Sequence, residues 1–387
     1  MPSSTPTSLD GFHSQWLTEE LRQAGTIAAA SRVETVRIER LGEGEGFVGD
    51  LARLHLGYSG EPGPATVVAK IPTAVELNRA MGRALGVYER EVMMYREILP
   101  SLPVPHPTVH VGRYEADGTE ASELERIKRA NRLPMALLRL LVRSEQKNAR
   151  VPPCVLLLAD IADELGDQVA GCDVERAATV LATAADIHAP TWGVRSPQSQ
   201  HWLTGGDVAP RVFDAVYRNN RREFERRANT TFSEHSQRVL RSLRRNGAGR
   251  IRHLHTQAPT CLLHGDLRLD NIFFSPEGTV SAIIDWQTAN LGPAVLDVGY
   301  FITGSLGHDV PESTIDDLLD VYHQRLLANG VEDYSLKQLH ADYDQALRVL
   351  LHRMSAIGGL NFGDARGQEL LDRWLMRFDA RLARVTP

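Results

Sequence analysis

Cysteine is scarce in this chain of 387 residues: Cys154, Cys172 and Cys261 lie far apart. That spacing offers neither a disulfide framework nor a zinc site, and predicts buried thiols in a reducing compartment. Long apolar runs are missing too, none reaching the roughly 18 uninterrupted residues of a membrane span. The opening MPSSTPTSLDGFHSQ has neither the basic start nor the apolar core of a secretory leader, so the expected location is the cytoplasm. No strong charge excess appears: 43 Lys and Arg against 49 Asp and Glu leave a net charge of -6, which argues against generic nucleic-acid binding. Internal repeats and low-complexity tracts are absent. So are HExxH and HxHxD patterns, which argues against a metal-dependent hydrolase.

What is present has the makings of two lobes, since a chain of this length can bury one large core or two medium ones. Residues 13–24 read as a short amphipathic helix around Trp16, Leu17 and Leu21. VETVRIERL (33–41) alternates into the turn GEGEGFVGD (42–50), LARLHLGY (51–58) alternates again, and TVVAKIP (66–72) follows as a third strand bearing Lys70. Residues 75–99 predict one long helical stretch with Val87, Glu91, Met94 and Ile98 on a stripe, closed by Pro100, Pro103, Pro105 and Pro107. With strands expected at 108–114 and 154–158, these segments describe a small, mostly antiparallel sheet with one main helix. We therefore expect an N-terminal lobe over residues 1–158. A larger, mostly helical lobe over 159–387 follows, with helices at 175–188, 211–245, 314–328, 335–357 and 367–384 and short strands near 271–274 and 282–284.

The link between the last two strands of the small lobe is unusually long. Residues 121–150 hold Arg126, Lys128, Arg129, Arg132, Arg139, Arg143, Lys147 and Arg150 against Glu123, Glu125 and Glu145, eight minus three or +5. With Leu133, Leu137, Leu138, Leu140 and Leu141 interspersed, the region about 118–150 predicts an inserted amphipathic helix or helical pair. Two roles are open to it: packing over the small lobe with a solvated basic face, or gathering an anionic substrate group. It carries no aromatic platform on which bases stack.

Most of the chemistry is in residues 261–300, CLLHGDLRLDNIFFSPEGTVSAIIDWQTANLGPAVLDVGY. An apolar strand-like start delivers His264, Gly265 and Asp266 to a loop, Asn271 follows five residues later, and Asp285 ends the next apolar strand. Two carboxylates and an amide thereby converge, which is what phosphoryl transfer needs: oxygen ligands for a hard divalent cation, and a group to orient an acceptor hydroxyl and take its proton.

HGDLRLDN followed by IIDW resembles the aminoglycoside phosphotransferase and choline kinase-like branch of the protein-kinase superfamily. It is also similar to the ecdysteroid-kinase-like and acyl-CoA-dehydrogenase-associated phosphotransferases. The order of elements carries this resemblance over approximately residues 33–380, and Lys70 on the third strand adds to it. It implies an α+β, bilobal, protein-kinase-like fold and an ATP-dependent kinase with Mg2+, acting on a hydroxyl of a small molecule. A region after Asp285 without DFG or APE makes a protein substrate the lesser alternative; a nucleotide-binding scaffold without turnover is another.

Carried over residue by residue, the resemblance implies Asp266 as catalytic base and Asn271 and Asp285 as metal ligands. Lys70 would contact the α and β phosphates, with Glu91 rather than Glu89 as its ion-pair partner. Arg268 is read as a phosphate contact or charge stabiliser near the base, or as a solvated or ion-paired arginine. Asp297 and His264 are expected to be structural, as is His188. Gly44, Gly46 and Gly49 would form a phosphate-covering turn, although Glu43 and Glu45 would repel phosphate if they pointed inward. Leu157 or Leu158 would wall the adenine, and Asp160 would pair or cap near the hinge. Acidic or aromatic residues would suit a cationic acceptor, and the basic insertion an anionic or CoA-linked one; Tyr343, Asp344, His352, Arg353 and Asp364 are candidates. Oligomeric state and the choice of ATP over GTP are not readable.

Overall fold

The structure, a computed structural model, describes residues 4–42, 48–118, 120–144, 151–194, 201–357 and 365–387. The expected contributions of Glu43, Gly44, Glu45, Gly46, Lys147, Arg150 and Asp364 lie outside the described residues. Two compact units emerge, one of Met1–Ser101, His106–Glu120 and Ser144–Ala162, the other of Leu102–Pro105, Ala121–Arg143 and Asp163–Pro387.

Alternating apolar side chains build the first unit's sheet. Strands β1 (Arg32–Leu41), β2 (Gly49–Ser59), β3 (Thr66–Pro72), β4 (Val109–Tyr114) and β5 (Cys154–Ala159) pair antiparallel in the order β1-β2-β3-β5-β4. On one face Val67, Ala69 and Ile71 of β3 join Leu54, Val155 and Leu157, and helix α1 (Ser14–Gln23) covers them with Trp16, Leu17 and Leu21. The two-residue period of a strand then turns Lys70 to the opposite face. Register places Lys70 beside Leu51 and Leu156, and Val68 beside Leu158, so Leu158 shares the lysine's face. Gly49 is there as well: an added Cβ would stand 3.0 Å from Lys70 Cε, so its bare backbone makes room for the lysine stem.

The helix expected over 75–99 is interrupted. Helix α2 (Glu76–Ala84) ends before Gly86, whose φ of 65° is left-handed and cannot continue a right-handed helix. Helix α3 (Val87–Met93) restarts there and runs into a π turn, Met94–Ile98, and a 3-10 turn, Leu99–Ser101. Glu91 nonetheless keeps its place on the buried stripe with Val87 and Met94.

In the second unit the basic insertion forms two helices, α4 (Glu120–Ala130) and α5 (Met135–Ser144). Ala130 and Leu138 pack with Ala215 of α7 (Pro210–Thr231), Arg139 donates to Asn219 Oδ1 at 2.9 Å, and Arg211 N donates to Asn131 Oδ1 at 2.9 Å. Leu138 is buried against α7, while Leu137 and Leu140 of the same helix stay exposed.

The remaining helices are α6 (Val174–His188), α8 (Glu234–Ser242), α9 (Gly247–Gln257), α10 (Val295–Ser305), α11 (Glu312–Ala328), α12 (Leu336–Ile357) and α13 (Ala365–Leu382). The helical stretch expected at 211–245 is thus two helices, α7 and α8, because Ser233 leaves the helix and caps α8 by accepting from Ser236 N. Two small sheets complete the unit: β6 (Glu164–Leu165), β8 (Ile272–Phe274) and β9 (Val280–Ile283) in the order β6-β8-β9, and β7 (Thr260–Leu263) with β10 (Asn290–Pro293). All three cysteines are free; Cys154 and Cys261 are buried as expected, while Cys172 is only half-buried. Among the described residues no helix is long and apolar enough to cross a membrane.

Candidate active site

The buried strand β7 ends at His264, and the next two residues turn outward. Gly265 makes that turn possible: its φ is 82°, and a side chain there would collide with the Thr288 carbonyl. Asp297, one turn into α10, fixes the loop by accepting from His264 N at 2.6 Å and from Gly265 N at 2.9 Å, with His188 Nε2 at 3.4 Å. His264 is held as well. Its Nδ1 accepts from Asp266 N at 3.3 Å, which places the proton on Nε2, 2.9 Å from the Ile284 carbonyl. With both ring nitrogens engaged and Trp286 packed against the ring, His264 serves as a strut.

Replacing Asp297 by asparagine would leave one acceptor oxygen for two backbone donors and turn an amide donor toward the other, since His264 N and Gly265 N each use a different carboxylate oxygen. We expect a loss of about 3 kcal/mol, read as a lower urea midpoint at unchanged slope. A parental midpoint would deny Asp297 this role.

Asp266 is half-buried and surrounded by donors. Asn271 Nδ2 donates to its carbonyl at 2.9 Å and its Oδ2 at 3.3 Å, Arg268 Nε lies 3.3 Å from Oδ2, and the Tyr300 hydroxyl donates to the carboxylate. Burial alone pushes the carboxyl upward, but Arg268, Tyr300, His264 and Asn271 together hold it below the ordinary 3.8. Arg268 is also 3.2 Å from Asp270 Oδ2, so of the roles open to it the structure shows an ion-paired arginine, and its neighbouring carboxylates raise its pKa against the opposing effect of burial.

The ladder between β8 and β9 brings Asp285 to Asn271. Ile272 pairs with Ile283, Ile284 N donates to the Asn271 carbonyl at 2.9 Å, and Asp285 follows directly. Asp285 has a φ of 65°, one of two non-glycine residues in this region of conformational space among the described residues. Such strain persists only where the surroundings impose it, and it is common at functional sites. Asn271, whose amide nitrogen is committed to Asp266, keeps its side-chain oxygen for other use. That oxygen and the Asp285 carboxylate are hard donors of the kind magnesium accepts when substrate phosphates and water supply the rest of its shell. No group of three or more His, Cys, Asp and Glu that could hold a metal by itself occurs among the described residues.

In the first unit Lys70 Nζ lies 2.7 Å from Glu91 Oε1, both side chains largely buried. Glu91→Ala removes the carboxylate at 2.7 Å from a largely buried lysine charge, and we expect it to lower unfolding free energy by about 3 kcal/mol. A melting midpoint equal to the parent's would sink that expectation. Asp160 pairs with Arg53, at 2.6 Å.

Among the acceptor candidates, His352 bonds buried Asp214 at 3.2 Å, Asp344 pairs with Arg384 at 2.7 Å, and Tyr343 is fully buried. Arg353 is half-buried, and burial lowers its pKa against the opposing effect of Asp297, Tyr300 and Asp266. Tyr300 was missed from sequence, although its position three residues after Asp297 places it one turn along the same helix.

Comparison with known proteins follows these lines. The model of the phosphotransferase enzyme family, APH, matches residues 60–335. Acyl-CoA dehydrogenase family member 10 of Mus musculus is 49% identical over 49 residues, 12% of this chain and 5% of that protein. The chain spans a tenth or less of the length of the curated relatives it matches. Choline kinase from Cryptosporidium parvum Iowa II is similar in fold, with TM-score 0.51, 9% identity and 89% of each chain covered. An ethanolamine kinase of Plasmodium vivax gives TM-score 0.50 and 9% identity, over 94% of this chain and 86% of that one.

Proposed function

Because this chain belongs to the phosphotransferase enzyme family, we propose that it moves the γ-phosphate of ATP to a hydroxyl of a small molecule. The observation that carries this reading is the Asp266–Asn271 contact, with Asp285 following the residue that hydrogen-bonds Asn271. One side of that arrangement suits an alcohol and the other a metal-bound phosphate.

Asp266 orients the acceptor hydroxyl and takes its proton. As the alcohol oxygen bonds to the γ phosphorus, the bond from that phosphorus to the bridging oxygen breaks and ADP leaves. A carboxylate held below its ordinary pKa is a weak base, so orientation is its larger contribution and proton transfer comes late, as suits a loose transition state. Asn271 and Asp285 would hold Mg2+, which when bound neutralises phosphate charge. Lys70, kept extended by Glu91, is assigned to the phosphates, Gly49 and Leu158 to the nucleotide, and Arg268 to holding Asp266 in its ionised form.

The test is a screen of hydroxylated metabolites, CoA-linked ones included, with ATP and Mg2+, reading ADP release and the mass gain of the acceptor against an Asp266→Asn blank. A phosphorylated product absent from the blank is expected. Neither product nor Mg2+-dependent nucleotide binding would leave a scaffold instead.

A further inference from the structure

The loop that carries Asp266 is fastened at both ends. Asp297 holds its entry, at His264 and Gly265. At its exit, Gln168 is 4% exposed and accepts from Leu269 N through Oε1 at 2.6 Å, while its own backbone N donates to Asp270 Oδ1 at 2.9 Å. Arg366 of α13 donates to the same Oδ1 at 3.1 Å. Farther along α13, the buried Arg377 donates to the carbonyls of Gln168, Val169 and Gly304, which keeps Gln168 in place.

With Oδ1 so committed, Asp270 presents Oδ2 to Arg268, whose Nη1 donates to it at 3.2 Å. Arg268 therefore gives this hydrogen bond to Asp270, not to Asp266. Its Nε lies 3.3 Å from Asp266 Oδ2, yet it is buried and makes no hydrogen bond among the described residues. The guanidinium acts on Asp266 through its charge and takes up none of its lone pairs. That matters because an ionised carboxylate offers about four lone-pair sites. Asn271 Nδ2 and the Tyr300 hydroxyl take one each on Asp266. A guanidinium bound as a two-pronged fork would fill the other two and leave none for an acceptor hydroxyl.

Building on the phosphotransferase reading, we propose that Asp270 is a positioning residue for the reaction, acting through Arg268. By holding the guanidinium in a hydrogen bond of its own, it lets Arg268 lend charge to Asp266 without occupying the lone pairs that receive the acceptor hydroxyl and its proton. Gln168 and Arg366 serve by fixing the Asp270 carboxylate.

The experiment compares the parent with Asp270→Asn, Arg268→Gln and the double variant, each as the intact protein with Mg-ATP and the panel of hydroxylated metabolites, by steady-state ADP release. Asparagine keeps an oxygen for Gln168 N but offers Arg268 no carboxylate, which frees the guanidinium to close on Asp266. Asp270→Asn is expected to lower kcat about a hundredfold with KM for ATP unchanged, Arg268→Gln about tenfold, and the double variant also only about tenfold. Removing the arginine then restores what the loss of Asp270 took away. A merely structural Asp270 would give losses that multiply, to about a thousandfold in the double variant. In arginine-labelled protein the Arg268 Nε–H resonance, assigned by its loss in Arg268→Gln, should move downfield in Asp270→Asn as that group bonds Asp266. Asp270→Ser, which also removes the carboxylate, carries the test if the asparagine variant does not fold. Losses that multiply, an unmoved resonance, or failure of both Asp270 variants to fold would each overturn the proposal. A shifted resonance with no ADP release by the parent on any compound would remove the phosphotransferase reading, and with it the role in the reaction, while the hold on Arg268 stands. ADP release by the parent with losses that multiply would do the reverse.

Discussion

Asp266→Asn is expected to lower kcat about a thousandfold while leaving the affinity for Mg-nucleotide unchanged. Asparagine keeps the shape of the side chain and a donor and acceptor pair, but it neither takes a proton nor compensates Arg268, which lies 3.3 Å from the lost oxygen. The acceptor hydroxyl loses both its orienting charge and its proton sink. Single-turnover measurement of ADP formation checks this, and a variant within tenfold of the parent would move the base elsewhere. The pH profile supplies a second reading. Because the folded-state pKa of Asp266 lies below the ordinary 3.8, its ionised form prevails throughout the neutral range and kcat/KM should show no acid limb from it there. The same depression means that the ionised carboxylate stabilises the fold above the unfolded-state value, and that this stabilisation is lost as pH falls through the folded-state value.

Asp285 should separate activity from stability. Asparagine tolerates the left-handed backbone at φ 65°, so Asp285→Asn removes the charge without adding strain. Its expected result is a fall in kcat of about a thousandfold and loss of the Mg2+ dependence of nucleotide binding. Asp285→Gly should be equally inactive yet more stable than the parent by about 1 kcal/mol, since glycine adopts that conformation without penalty. Thermal melts beside magnesium titrations decide it. An active glycine variant would remove Asp285 from the metal, and a destabilised one would show that its contacts outweigh its strain.

The interruptions of the expected helices have recognisable causes. Gly86 stood in the sequence, but the stripe of Val87, Glu91 and Met94 begins immediately after it, so the break falls at the edge of the most regular part of the stretch. Helix α10 is buried on nearly every side, so it shows no amphipathic period from which to read a helix. Strand β10 exists because β7 lies beside it, and four residues with Gly and Pro carry little strand signal of their own.

The sequence by itself singled out the candidate set. Asp266, Asn271 and Asp285 are close in the chain and bounded by apolar strands, so local spacing alone brings them to neighbouring strand ends. It also selected Glu91, because a helical period of 3.6 residues and the cost of an unpaired buried lysine both point to it. Only tertiary structure decided the rest. Tyr300 lies on a helix that no local period connects to the catalytic loop, and the packing of that helix brings its hydroxyl to the Asp266 carboxylate. The same packing turns His352 into the core and leaves the arginine beside it without a contact partner among the described residues. It also sets the basic insertion against α7, because a leucine stripe has no preferred partner until two helix faces meet.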